Sequence, residues 1–235
     1  MKGLAVLDRT ERGYRFRAGQ QDSDLRVSLL GGRLVIADRG TAAWRGLPAG
    51  CRRLSPPVGI AAACPARSRQ REVFLEIWPR LGDDVVDTTA LPARYRAWVL
   101  TDDGDDVVRT GAGDDFVNGA QGDDVVDTGS GQDWVRGGIG ANTIAGGEDG
   151  DRLVGGEDVD VLDGGAGDDV LFGAGGADEL TGADGADLLV GEDGPDTARA
   201  DDHDVVRTCE RIVADEAATP APRGAPRRIA RADLR

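Results

Sequence analysis

The 235-residue sequence is poor in the parts of a conventional core or a conventional active site. Aromatic residues are 4% of it, against 36 glycines, and it holds one histidine and three cysteines. So little aromatic bulk leaves room for one small domain beside something repetitive, and excludes a large packed interior. No apolar run is long enough to span a bilayer. Charges follow Met1–Leu7 too soon for that stretch to be the apolar centre of a secretory leader, so export is expected to use another route, to use a leader outside this sequence, or not to happen. Acidic residues outnumber basic ones by 43 to 28, a net −15, which argues against the basic face that a nucleic-acid partner requires. There is no G-x-S-x-G and no H-E-x-x-H. The lone His203 stands between Asp202 and Asp204 and is expected in a closing turn rather than in a catalytic site, so no enzyme is expected. Cys51 and Cys64 close a short loop with no histidine nearby, which favours a disulfide in an exported protein over a zinc site. Cys209 is left without a partner.

What the chain does have is a period. From Thr101 to Arg199 a nine-residue pattern runs eleven times without a break; its best copy is Gly164-Gly165-Ala166-Gly167-Asp168-Asp169-Val170-Leu171-Phe172, or G-G-x-G-x-D-x-U-x with U aliphatic. The sixth position is occupied by Asp106, Asp115, Asp124, Asp133, Asn142, Asp151, Asp160, Asp169, Asp178, Asp187 and Asp196. The eighth is Val108, Val117, Val126, Val135, Ile144, Leu153, Leu162, Leu171, Leu180, Leu189 and Ala198. One aliphatic per row gives each short strand one inward side chain and two outward ones, and the glycines recur where a tight turn needs positive φ or a close backbone approach. A row alone buries almost nothing. Coils stacked at about 4.8 Å, the spacing of strands, join the aliphatics into two facing ladders and the aspartates into a stack at each edge.

Those stacks carry an electrostatic demand. Residues 81–200 hold 29 acidic and 6 basic side chains, a net −23, and carboxylates so close repel unless a cation lies between them. Calcium suits this demand, because it takes six to eight oxygens from carboxylates and from the carbonyls that glycine-rich turns expose, whereas magnesium prefers to keep its waters. A dinucleotide-binding loop would need one strand-to-helix context, and an EF-hand a glutamate six residues after its glycine between two helices; neither is present. A disordered acidic segment would not keep the aliphatic register.

The nonapeptide resembles the RTX, or haemolysin-type, calcium-binding repeat, a β-helix signature. The resemblance implies an all-β fold: a parallel β-roll in which six residues turn and hold Ca²⁺, three form a strand, and two rows make one coil. It also implies the eleven sixth-position residues as metal ligands for several calcium ions. Asn142 keeps an oxygen but loses the charge, so its sites should be weaker. Asp149 and Asp158 replace the fourth-position glycine, and aspartate tolerates left-handed backbone better than most residues.

Around the repeat, residues 1–80 are expected to form a small β-rich N-terminal cap. Tyr14–Arg17, Leu25–Leu29, Leu34–Ile36 and Val73–Ile77 are short, alternating or β-rich, and bounded by glycine or proline. Gly82–Val86 echoes the repeat, but Asp84 lies 22 residues before Asp106, so residues 81–100 form a lead-in coil with an insertion and a strand over Arg94–Leu100. Residues 200–216 are expected to close the roll, and 217–235, rich in Ala, Pro and Arg, to be a disordered tail. The order of parts resembles small exported calcium-binding proteins of bacteria, implying a secreted location. One outward face should be apolar, with Phe116, Trp134, Arg152, Val170 and Leu188 at the seventh position and Arg136 and Phe172 at the ninth. It is expected to lie under the N-terminal strands or the tail, or to meet a protein partner or a second copy. An adhesion or interaction module is therefore the alternative to a calcium-binding protein as such; an ice-binding face would need an outward threonine ladder that is missing.

Overall fold

The computed structural model describes residues 4–18, 22–56, 58–66 and 71–214; the expected tail at 217–235 lies outside them. No helix occurs among the described residues, and hence none that could cross a membrane. The N-terminal strands are β1 (Leu4–Arg9), β2 (Gly13–Arg17), β3 (Asp24–Leu30), β4 (Arg33–Asp38), β5 (Ala43–Gly46), β6 (Arg52–Leu54), β7 (Ile60–Pro65) and β8 (Val73–Arg80). They lead into β9 (Val85–Asp87), β10 (Tyr95–Thr101), β11 (Val107–Arg109), β12 (Phe116–Gln121), β13 (Val125–Asp127), β14 (Trp134–Ile139), β15 (Thr143–Glu148) and β16 (Arg152–Glu157). The roll continues through β17 (Val161–Ala166), β18 (Val170–Gly175), β19 (Glu179–Asp184), β20 (Leu188–Asp193) and β21 (Thr197–Ala200), and closes with β22 (Val205–Arg207) and β23 (Arg211–Ala214).

Two sheets face each other. The first runs β22-β20-β18-β16-β14-β12-β10-β8-β2-β1-β5, the second β23-β21-β19-β17-β15-β13-β11-β9-β3-β4-β7-β6. Every pairing within the repeat is parallel at a register of eighteen residues, as in Phe116 with Trp134 and Trp134 with Arg152. Strand alternation turns the eighth-position aliphatics inward, where Val117, Val135, Leu153, Leu171 and Leu189 of one sheet oppose Val108, Val126, Ile144, Leu162 and Leu180 of the other, all at most 2% exposed. Burying such a side chain contributes about 1.5–3 kcal/mol, and only the stack makes that burial available. From β14 onward most roll strands are six residues long rather than the three the resemblance implies, because the ladder continues into the turn, with Gly138 opposite Gly156 and Gly147 opposite Gly165.

The expected strands are present within one to three residues at each end. The cap is built by continuing the sheets: β2 pairs in parallel with β8, and β3 with β9. Antiparallel hairpins then turn the chain away at the far end, β1 with β2, β3 with β4, and β4 with β7. Among the described residues the N-terminal strands thus extend the roll edge-on and do not lie over its outer face, which removes one of the two expected covers. Cys51 is bonded to Cys64 of β7 at this end. By chain-entropy reasoning a loop of this length is worth about 3 kcal/mol. Cys209 is free and buried, which pushes its thiol up to about 11.

Candidate calcium-binding turns

From β14 onward most strands run from the seventh position of one row to the third of the next, and the chain turns over the fourth to sixth positions. The fourth-position glycines take φ values such as 136° at Gly167 and 139° at Gly176, a region that side chains strain to reach. Asp149 and Asp158 meet the same position at φ 74° and 73°, the left-handed region that aspartate tolerates.

The sixth-position side chains point into the turns and form two rails, one along each edge. On one edge Asp84 N–H donates to Asp106 Oδ1 at 2.7 Å, Asp106 to Asp124, Asp124 to Asn142, Asn142 to Asp160, Asp160 to Asp178 and Asp178 to Asp196, all at 2.7–3.1 Å. On the other, Ala97 N–H donates to Asp115 at 2.6 Å and the rail runs on through Asp133, Asp151, Asp169 and Asp187. The rails end on Asp204 and Glu210, which accept from Asp187 and Asp196. The structure therefore brings all eleven sixth-position residues into equivalent places, five on one edge and six on the other. Their extensions, Ser23 N–H onto Asp84 at the start and Asp204 and Glu210 at the end, are the members that sequence spacing misses. Only Asp84 is marked by an echo of the repeat.

Except at Asp115, whose Oδ2 accepts the Gly111 N–H at 3.3 Å, one oxygen of each rail aspartate is thus satisfied and the other is not. Oδ2 of Asp84, Asp106, Asp124, Asp133, Asp151, Asp160, Asp169, Asp178, Asp187 and Asp196 is buried with no hydrogen-bond donor. A buried ionised oxygen without a partner is costly, and the acid strengths record that cost. Burial, reinforced by neighbouring carboxylates, pushes Asp133 up to about 8, Asp151 and Asp160 to about 7, and Asp178 to about 6, although the rail N–H bonds pull the other way. Burial likewise raises Asp106 to about 7, and Asp115, Asp124 and Asp169 to about 6.

These orphan oxygens are the direct test of whether the turns suit a hard divalent cation, and they do. Ten buried anionic oxygens face glycine-rich turns whose carbonyls can complete an oxygen shell. Among the described residues no three acidic, histidine or cysteine side chains gather at one point. A cation here would take a minority of its ligands from carboxylates and most from the backbone, which suits the six to eight oxygens of calcium better than the compact shell of magnesium. His203 takes no part in the rails; it is half exposed, with Nδ1 3.1 Å from Asp201 Oδ2.

The outer face of the first sheet carries the apolar side chains expected from the alternation. Phe116 stacks edge-on with Trp134 at 5.2 Å, and the ladder begins one coil earlier at Trp98, 5.4 Å from Phe116. Trp98 and Trp134 are 47% and 52% exposed. Arg152 lies over the Phe172 ring at 4.8 Å and Arg15 over Trp78 at 4.7 Å.

Compared with known families, the chain matches the model of the RTX calcium-binding nonapeptide repeat in four overlapping copies, at residues 100–135, 127–162, 136–171 and 163–198. No curated protein and no solved structure gives a significant match.

Proposed function

Because residues 100–198 are RTX calcium-binding nonapeptide repeats, we propose that this protein works outside the cytoplasm as a calcium-dependent module whose roll completes its folding on the ions. The repeats bind several calcium ions through their turns. The observation that carries the folding reading is the row of orphaned Oδ2 atoms. These atoms become neighbours of the next coil's carbonyls only when coils stack, so a cation held between them binds the folded chain and not the unfolded one, and binding energy becomes folding energy. In this reading Asp106 to Asp196 in the sixth-position register line the calcium turns, and the chain's role is binding rather than catalysis. The extracellular setting is supported by the Cys51–Cys64 disulfide.

The test is a far-UV spectrum in chelator, in calcium, and in magnesium or sodium at matched ionic strength. The roll's β signal should fall in chelator and return cooperatively with calcium alone. An unchanged signal in chelator at low salt, or equal recovery with magnesium or sodium, would sink the reading.

A second reading, an adhesion or interaction module that uses the roll as a scaffold, is favoured by the Trp98–Phe116–Trp134 ladder. In a chain this poor in aromatics, a continuous outward row of them is more than scattered surface apolarity. The two readings are compatible, since calcium would set the face that a protein partner or a second copy meets.

A further inference from the structure

The turns are not all alike, and the difference lies at the first position of the row. Eight rows begin with glycine, from Gly119 to Gly191, and three with Thr101, Thr110 and Thr128. None of the first-position glycines has a left-handed φ, so conformation does not demand glycine there; space does. A Cβ on Gly146 would run into Asp151 Oδ2 and come 2.8 Å from the Gly164 carbonyl oxygen. One on Gly173 would run into Asp178 Oδ2 and come 2.9 Å from the Gly191 carbonyl, and one on Gly182 would lie 2.5 Å from Asp187 Oδ2. The missing side chain leaves a hole walled by the orphan carboxylate oxygen of its own turn and by the first-position carbonyl one coil further on.

Threonine fills that hole. The Thr101 hydroxyl donates to the Gly119 carbonyl at 2.6 Å, Thr110 to Thr128 at 2.9 Å, and Thr128 to Gly146 at 2.8 Å. All three residues are at most 6% exposed. The carbonyl each hydroxyl engages is the equivalent of the one that borders the hole in a glycine turn. The same hydroxyls stand beside the carboxylates of Asp106, Asp115 and Asp133. With its single proton directed at the carbonyl, however, each leaves Oδ2 of Asp106 and Asp133 without a donor. Asn142 fills its turn differently. Its Nδ2 takes the place of Oδ2 beside Gly137 and donates to the Gly140 carbonyl at 2.9 Å and to Asp160 Oδ1 at 3.0 Å, which puts an N–H donor where a cation would need an acceptor.

We infer that calcium enters only the turns of Asp124 and of the six aspartates from Asp151 to Asp196, and that Thr101, Thr110 and Thr128 exclude it from the turns of Asp106, Asp115 and Asp133. First-position threonine is thus a specificity-determining residue that decides which rows of the repeat are metal sites. The inference rests on the calcium reading of the turns.

Native mass spectrometry of the full chain with its disulfide intact counts the ions held at saturating calcium. Thr128→Gly opens the hole and should add one ion to the wild-type count. Thr128→Val removes the hydroxyl but keeps the bulk and should add none, while Gly164→Thr should remove one. A Thr128→Gly count equal to wild type, or a gain in Thr128→Val, overturns the inference while leaving the calcium reading in place. A wild-type chain that holds no calcium defeats both. If Gly164→Thr does not fold in calcium, the Thr128 pair decides, since neither change adds volume to a turn.

Discussion

At every sixth position held by aspartate except Asp115, the two oxygens have two different employments: Oδ1 accepts an N–H from the preceding coil, and Oδ2 is left facing the turn. Asn142 keeps the first of these and replaces the second with a donor. The two residue types should therefore respond oppositely to truncation. In chelator, Asn142→Ala loses satisfied hydrogen bonds and should cost about 1–3 kcal/mol, whereas Asp169→Ala also removes a buried orphan charge and should cost less. In calcium the order should reverse, with Asp169→Ala raising the calcium midpoint of folding more than Asn142→Ala. Denaturant melts under the two conditions check this, and the same ranking in both would count against Oδ2 as the ligand atom. The sixth-position register was legible in the sequence because it is a local period. The meaning of Thr or Gly at the first position was not, because it depends on a carbonyl eighteen residues away in another coil.

At the scale of elements, alternation along each strand was enough to list the outward side chains of the first sheet, and the register of Phe116, Trp134 and Arg152 agrees with it. The membership of Trp98 in the ladder was hidden because its row, 92–100, has no glycine and carries Ala97 where the aspartate would stand, although Trp98 keeps the eighteen-residue register with Phe116. Strand β7 was also illegible, since half of Ile60–Pro65 is alanine, a residue with little preference for strands. Its place is fixed by pairing with both β4 and β6. If the aromatic face meets another surface, Trp134→Asp with Phe172→Asp should reduce self-association or capture of a partner while leaving the calcium count unchanged, because neither side chain enters a turn. Sedimentation and calcium titration of the double variant provide the check. A variant matching the parent in both measurements and in stability would mark the face as merely solvent-exposed.

For the molecule as a whole, the rails set the response to pH. Asp106, Asp133, Asp151 and Asp160 hold their protons more tightly in the metal-free fold than the ordinary 3.8 of an unfolded aspartate, because burial disfavours their charge. Stability from such groups is fully present below about pH 4 and is lost as the pH rises through their folded values of about 7 to 8. In chelator, the roll should thus melt at higher temperature at pH 5 than at pH 8. Saturating calcium should flatten the part of the trend that Asp151 and Asp160 contribute, and acid should weaken calcium binding because protons and ions compete for the same oxygens there. Thermal melts across pH with and without chelator decide it; metal-free stability that rises from pH 5 to pH 8 would refute the assignment.

The rails also give the roll a grammar of length. Each aspartate addresses the residue eighteen places away, and every roll coil obeys the same address. A gene that gains or loses eighteen codons within the repeat therefore adds or removes one storey, and both ends still find their acceptors. A change of nine is different. It would send every later strand to the opposite wall, carrying aromatic and acidic faces across with it and leaving Asp204 and Glu210 on the wrong edges. The unit that can be duplicated without penalty is the coil and not the motif, so the odd count of eleven motifs here is completed to whole storeys by the non-repeat strands at the two ends.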